Sequence, residues 1–252
     1  MVIPDRRAVL SGGIAAMGCC ATGAAAAPLI ALPDDLVARD AATVTAIRTR
    51  SNVVGMTFDD GPHPKLTPWL LDMLKERNLK ATFYLIGNRV VTWPAIARRI
   101  AEEGHEIGNH SWSHPFLNRY SDAAVMNEID RTTRAIFDVT GRPPVTFRPP
   151  YGAFTRRQRL MLYKARNLPT ILWSVDPQDW RRPGSSVVAQ RILKKSVPGA
   201  IILSHDIHSG TVRAMPATFD GLATRGLGFG TMSQMMGWPV WQTRRFRLAS
   251  RG

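Results

Sequence analysis

A single α/β domain built as a barrel of seven parallel strands is the fold the sequence predicts. Short apolar runs alternate with amphipathic segments from Val53 to Met232, and regular β-α alternation implies a parallel sheet. Reactive side chains gather at the C-terminal ends of five of those runs, which in a barrel of parallel strands meet on one face. The other arrangement that alternation allows, an open doubly wound sheet, normally brings a glycine-rich phosphate loop that this sequence lacks.

The elements follow in order. Val53–Phe58 reads as a buried strand. Thr67 and Pro68 open a helix that runs to Arg77, with threonine as the cap and proline at the first helical position, where its missing N–H does no harm. Ala81–Ile86 is the second strand. Pro94–Glu103 is helical and stops at Gly104, and His105–Asn109 is the third strand. Ser121 caps a long helix with Ala124, Ile129, Ile136 and Val139 on its apolar stripe, ended by Gly141 and the two prolines beyond it. Val145–Arg148 is the fourth strand and residues 155–167 the next helix. Thr170–Val175, Ala200–Ser204 and Gly228–Met232 complete the seven strands, with helices at Ser185–Lys195 and Pro216–Arg225 between them.

The ends of the chain carry other information. Arg6 and Arg7, a Gly- and Ala-rich apolar run, and then Ala24–Ala27 before Pro28 have the order of a secretion signal, and the paired arginines suggest the twin-arginine route. The apolar run is too short and too rich in glycine for a good membrane span, so the mature chain is expected to carry no transmembrane anchor and to work in the periplasm or outside the cell. On this reading residues 1–27 are the signal, 28–48 a lead-in, 49–237 the domain and 238–252 a basic tail. Both cysteines, Cys19 and Cys20, lie in the signal. Its removal excludes a disulfide scaffold and leaves histidine and carboxylate as the available metal ligands. The formal net charge of +14 favours polyanionic surroundings. No nucleic-acid motif accompanies it, so nucleic acid is not an expected partner.

Asp59 and Asp60 follow the first strand. Adjacent residues point to different sides, so one can bind a metal while the other acts as a base. Taken alone the pair is a weak signal, because Asp-Asp-Gly-Pro is also good turn chemistry and the turn is the better reading. His110 and His114 follow the third strand with metal-ligand spacing, provided a tight loop brings the rings together, because Pro115 opposes a helix. Alone they could be two surface histidines. With Asp60 they make a three-ligand site that leaves a position for water, the catalytic pattern. Arg148 can orient a carboxylate, and the stiff turn after it offers the Tyr151 N–H as an oxyanion donor; a plain loop is the alternative. His205 is the natural general acid if a carboxylate holds it protonated. His63 and His105 read as structural, and His208 is open. Trp173, Trp180 and Leu203 are the type of residue found in cores more often than in pockets, although Trp180 adjoins Asp179.

In this order the residues strongly resemble the polysaccharide deacetylase family, the NodB-homology domain of carbohydrate esterase family 4. Thr57–Pro62, His110–His114, Arg148–Gly152, Asp176–Trp180 and Leu203–Asp206 resemble its five motifs, and the resemblance covers roughly residues 50–236. It implies a distorted (β/α)7 barrel that binds a divalent metal, with zinc the leading choice, through Asp60, His110 and His114. It further implies Asp59 as the base held by Arg148, the Tyr151 N–H on the oxyanion, and His205 as the acid tuned by Asp179. Trp180 and Leu203 would line the acetyl pocket. The expected substrate is an N-acetylated amino-sugar polysaccharide or oligosaccharide of peptidoglycan or chitin type. An O-acetyl esterase on xylan, an amide hydrolase on a small molecule and an inactive glycan-binding domain are the competing functions.

Overall fold

The computed structural model describes residues 36–37 and 43–238. The signal-like segment, most of the lead-in and all of the basic tail beyond Trp238 lie outside the described residues. No helix among the described residues is long and apolar enough to cross a membrane.

Nine strands and eight α-helices are present among the described residues. In chain order they are β1 (Leu36–Val37), β2 (Thr43–Val44), β3 (Ala46–Ile47), β4 (Val53–Asp59), α1 (Leu66–Glu76), β5 (Thr82–Leu85), α2 (Gly87–Thr92), α3 (Pro94–Glu102), β6 (Glu106–Asn109), α4 (Asp122–Thr140) and α5 (Arg156–Arg166). Then come β7 (Thr170–Ile171), α6 (Ser185–Lys195), β8 (Ile201–Ile202), α7 (Ser209–Thr224), β9 (Gly228–Phe229) and α8 (Met232–Met235).

The parallel strands form a ring. β4 lies between β5 and β8, and β6 follows β5. Beyond β6 the ring continues through single parallel bridges, Asn109 to Phe147, Phe147 to Thr170 and Val175 to Ile202, and returns to β4 where Asp59 meets His205. The seventh strand, β9, pairs with the start of β4. The predicted barrel is therefore present but distorted, and the distortion has local causes. Prolines at 143, 144, 149 and 150 bracket the fourth strand, and a proline precedes Thr170; none of them can donate to a ladder. The Ser174 and Val175 N–H groups both reach the Ile201 carbonyl (3.0 and 3.1 Å), two residues against one, which is a bulge.

Residues inside the expected lead-in take part. β2 pairs in parallel with β7, and Ala46 bridges Ala200. Val44 and Ile47 are buried, and the Ile47 N–H reaches the Gly199 carbonyl at 2.9 Å. Gly199 has φ +81°, and a Cβ there would lie 1.7 Å from the Ile47 oxygen, so the approach requires glycine.

Strand alternation sorts the side chains. Val54, Met56, Phe58, Phe83, Leu85 and Ile107 pack outward with Leu70, Leu74, Ile100, Met215 and Phe219 of the helices in the main apolar core. The alternate positions, Thr57, Asp59, Thr82, Tyr84, Glu106, Thr146 and Arg148, are buried within the ring as a polar column. The Arg148 guanidinium stacks over Tyr84 at 4.2 Å, and Glu106 accepts from the Ser233 N–H at the foot of the column (2.7 Å). Burial pushes the Glu106 carboxyl above its ordinary range.

Two helix starts differ from expectation. Thr67 does not cap α1. Its hydroxyl donates to Asp206, and the His63 Nδ1 takes the Lys65 and Leu66 N–H groups (3.2 and 3.1 Å) at the helix start instead. α7 begins at Ser209 rather than Pro216, and the proline is carried inside the helix, whose buried face from Thr211 to Leu222 outweighs one lost hydrogen bond. The short helix α2 had no counterpart in the sequence reading.

Candidate active site

β4 ends by delivering two carboxylates to the upper face. Asp59 still belongs to the strand and points into the ring; Asp60 has φ 72° and leaves it, so the neighbours separate. Asp59 Oδ1 accepts from Arg148 Nη1 at 2.7 Å. Arg148 is fully buried and fixed by Thr57 Oγ1 (2.6 Å), the Ile171 carbonyl (3.1 Å) and the Leu172 carbonyl (3.1 Å). A buried guanidinium with all three nitrogens hydrogen-bonded is a rigid clamp for the carboxylate.

The loop after β6 builds the histidine pair. Ser111 and His114 have positive φ (66° and 61°), the tight turn that the spacing demanded. Asn109 Oδ1 accepts the Ser111 N–H, Ser111 Oγ accepts the His114 N–H, and buried Glu128 on α4 accepts the Trp112 and Ser113 N–H groups. His110 Nδ1 is 2.7 Å from the Arg148 carbonyl, which orients Nε2 outward. Both Nε2 atoms converge on Asp60 Oδ1, at 3.3 Å from His110 and 3.2 Å from His114. One ligand atom from each of these three residues lies within 4.8 Å of the others. Asp60 Oδ1 is buried and finds no well-formed hydrogen bond among the described residues. Burial opposes its ionisation, but the two imidazoles hold it well below the usual carboxylate range. Two imidazoles and an ionised carboxylate that converge on one point without a well-formed hydrogen bond among them fit a divalent metal.

The third group comes from the turn after β7 and the end of β8. His205 Nδ1 lies 2.9 Å from Asp179 Oδ1, and the other carboxylate oxygen accepts the His205 N–H (2.7 Å) and the Thr211 hydroxyl (2.8 Å). Burial works against charge on both. Their mutual hydrogen bond and attraction prevail: Asp179 is lowered, and His205, helped by Asp59 and Asp60, is pushed up to about 9.

Tyr151 lies across the pocket in the left-handed region (φ 60°). Within its turn Gly152 and Ala153 donate to the Pro149 and Pro150 carbonyls, whereas the Tyr151 N–H has no backbone acceptor among the described residues. Its ring stacks on Phe116 (4.0 Å) and meets the edge of His114 (4.6 Å). Asp59, Asp60, His110, His114, Tyr151, Trp180, Leu203 and His205 all line one pocket of about 400 Å³, with Trp173, Asp176 and His208. Trp180 is half exposed on the rim, and Leu203 is buried in the wall. Arg148 and Asp179 stand directly behind Asp59 and His205.

Sequence reasoning passed over three groups that shape this site. Thr57 and Thr211 are hydroxyls beside the two charged pairs, and a threonine offers no sequence signal of such a role. Glu128 does offer one, as an acidic residue between Val125 and Ile129 on the buried side of α4. Asp206 was visible as a motif residue without a task. It is fully buried against Gly61 and Thr67, and burial pushes its carboxyl up to about 7.

Comparison with known proteins places this geometry. Residues 46–168 match the sequence profile of the polysaccharide deacetylase family. Over 184 residues the chain is 41% identical to the peptidoglycan-N-acetylglucosamine deacetylase PgdA of Listeria monocytogenes, which covers 73% of this chain but only 39% of that protein. The chain thus spans about two fifths of that relative's length. It is 38% identical over 202 residues to a chitooligosaccharide deacetylase of a Bradyrhizobium species, covering 74% of this chain and 91% of that one. Among solved structures, the Bc1960 peptidoglycan N-acetylglucosamine deacetylase superposes with a TM-score of 0.76 at 34% identity, covering 79% of this chain and 94% of that one.

Proposed function

The chain belongs to the polysaccharide deacetylase family, and from that premise we propose that it is a metal-dependent hydrolase that removes N-acetyl groups from an amino-sugar polymer of peptidoglycan or chitin type. One observation carries the reading. A His-His-Asp triad, an arginine-held aspartate and an aspartate-held histidine open on a single pocket large enough for a sugar.

Amide hydrolysis needs a nucleophile, a place for the developing negative charge and a proton for the departing amine. Asp60, His110 and His114 would hold a divalent ion, zinc by the chemistry of the donor set, and that ion supplies Lewis acidity for the carbonyl and acidifies water. Asp59 is the base. Arg148 ties its Oδ1, so Oδ2, which lies 3.8 Å from His110 Nε2, remains to take the proton of the attacking water. The Tyr151 N–H donates to the carbonyl oxygen as it becomes negative, a contribution of about 2.7–4 kcal/mol for a single donor elsewhere. His205 keeps Nδ1 on Asp179 and donates from Nε2 to the amine. Leu203, Trp173 and Trp180 offer apolar surface for the acetyl methyl.

The same apparatus could cleave an acetate ester on a xylan-type chain, and a glycan-binding domain without activity would be free to lose any one of these side chains. Retention of the whole set, and above all a proton-holding His205 matched to a poor amine leaving group, favours the deacetylase. Acetate and free amine released from N-acetylated chito-oligomers or peptidoglycan fragments, set against acetate from acetylated xylan, each with and without chelator, tests the reading. Chelator-sensitive amine release is expected. Acetate from xylan alone, or no release from any substrate, contradicts it. Such polymers lie outside the cytoplasm, in line with the signal-like start. Replacing Arg6 and Arg7 with lysine should hold back precursor, and normal export of that variant would refute the twin-arginine route.

A further inference from the structure

Beside the catalytic pocket is a second cavity of about 430 Å³ that no step of the reaction uses. His208 lines both, and Asp179 on the second cavity holds His205 of the first. Arg182 and Arg213, both exposed, stand on the second cavity's rim. Arg182 forms no ion pair among the described residues, and Arg213 makes only a hydrogen bond to the Ser209 hydroxyl (3.0 Å). The one carboxylate at the cavity, Asp179, is occupied by His205 and Thr211. The field there is therefore positive. Arg182 is also anchored to the catalytic turn. Its backbone is left-handed (φ 55°), and its N–H donates to the Asp179 carbonyl at 2.8 Å. Gly184 and Gly210 also line the cavity, and a Cβ on either would meet nothing within 4 Å.

We propose that this cavity binds a carboxylate carried by the sugar next to the one being deacetylated, so that the substrate is an amino-sugar chain with acidic side groups, as in peptidoglycan, rather than a neutral chitin chain. Guanidinium groups match carboxylates in geometry as well as charge. The volume admits an acidic ether group or the first residue of a peptide. The inference builds on the deacetylase reading for turnover, but binding can be measured without turnover.

The test compares wild type, Arg182→Gln, Arg213→Gln and the double variant on three tetrasaccharides. One is neutral N-acetylchitotetraose, one carries carboxylate-bearing ether groups on alternate sugars, and one is that acidic chain with its carboxyls converted to amides. The double variant should raise KM about tenfold on the acidic chain alone with kcat unchanged, roughly the loss of two exposed charge contacts. Wild type should treat the amidated chain like the neutral one. An unchanged KM on the acidic chain, or equal rises on all three, overturns the assignment. Calorimetric binding of the same chains to metal-stripped protein separates the two readings. Arginine-dependent binding of the acidic chain without deacetylation of any chain would sink the proposed activity and leave the cavity assignment standing. Binding of the acidic chain that ignores both arginines overturns the cavity assignment whatever the turnover.

Discussion

The barrel holds an enclosed histidine near each end of its strands, and the two environments are opposite. His105 sits where β6 begins. Its Nδ1 accepts the Ala81 N–H at 3.2 Å, its Nε2 has no partner among the described residues, and its charged neighbours are Lys80 and Arg99. Burial, aided by those cations, pulls it down to about 3, so it is neutral at any ordinary pH. His205 sits just beyond the end of β8, and Asp179 carries it up to about 9. Burial pushes both rings the same way, so burial alone does not decide their charge. A carboxylate that is itself held in place by other donors decides it. The lower end keeps His105 uncharged, whereas the upper end gives Asp59 and His205 each a fixed opposite charge in Arg148 and Asp179. Chemistry that moves protons needs the second kind of environment.

Four variants sharpen or break this contrast. The largest effect is expected from His114→Ala, which removes one of three metal ligands; metal content and activity should both collapse, and elemental analysis showing full occupancy would refute the triad. Next comes His205→Ala. It should lower kcat by about 10²–10⁴-fold, the usual range for a general acid, with metal content intact. Near-wild-type turnover would remove it as the acid, and His208, whose ring lies 5.9 Å away, would be the next candidate. Asp179→Asn should act less severely, lowering kcat about tenfold or more and moving the high-pH limb of the rate profile downward from the region of 9, since the charge that raises His205 is gone. An unmoved limb would mean that His205 does not set it.

The smallest catalytic effect belongs to the lower end. A histidine raised by its partner, like His205, contributes stability that is fully present below its unfolded value near 6.5 and is lost as pH rises through about 9. For His105 the sign reverses. It is neutral when folded, so protonation of the unfolded chain erodes stability as pH falls from about 6.5 toward 3, by about 1.4 kcal/mol per pH unit at most. His105→Gln keeps an acceptor for Ala81 and removes the titration. It should leave kcat and both pH limbs unchanged while flattening the acid side of a denaturation series. A changed rate profile would show that the two ends are coupled.

Much of the upper end was legible in the sequence because strand ends carry their reactive residues in motif order, and each of Asp59, Asp60, His110, His114, Tyr151, Trp180, Leu203 and His205 reaches the pocket. The helix starts were harder to read. His63 displaces Thr67 as the group that receives the first N–H groups of α1, because a buried Asp206 from 139 residues away claims the threonine hydroxyl. Pro216 looks like a helix start by local rules, yet tertiary packing carries α7 through it. The polar column inside the ring was invisible because Thr82, Tyr84 and Glu106 sit in short runs whose alternation is masked by apolar outward neighbours. The cavity beside Arg182 depends on how a turn and a helix start meet, and no spacing in the sequence encodes it.

On the proposed reading the upper end works around one metal per chain. Zinc titrated into metal-stripped protein, with amine release from an N-acetylated glycan followed at each addition, tests it most directly. Activity should rise from baseline and break at one equivalent, with no recovery in His114→Ala. Full activity before any metal is added, or a break at two equivalents, would contradict it.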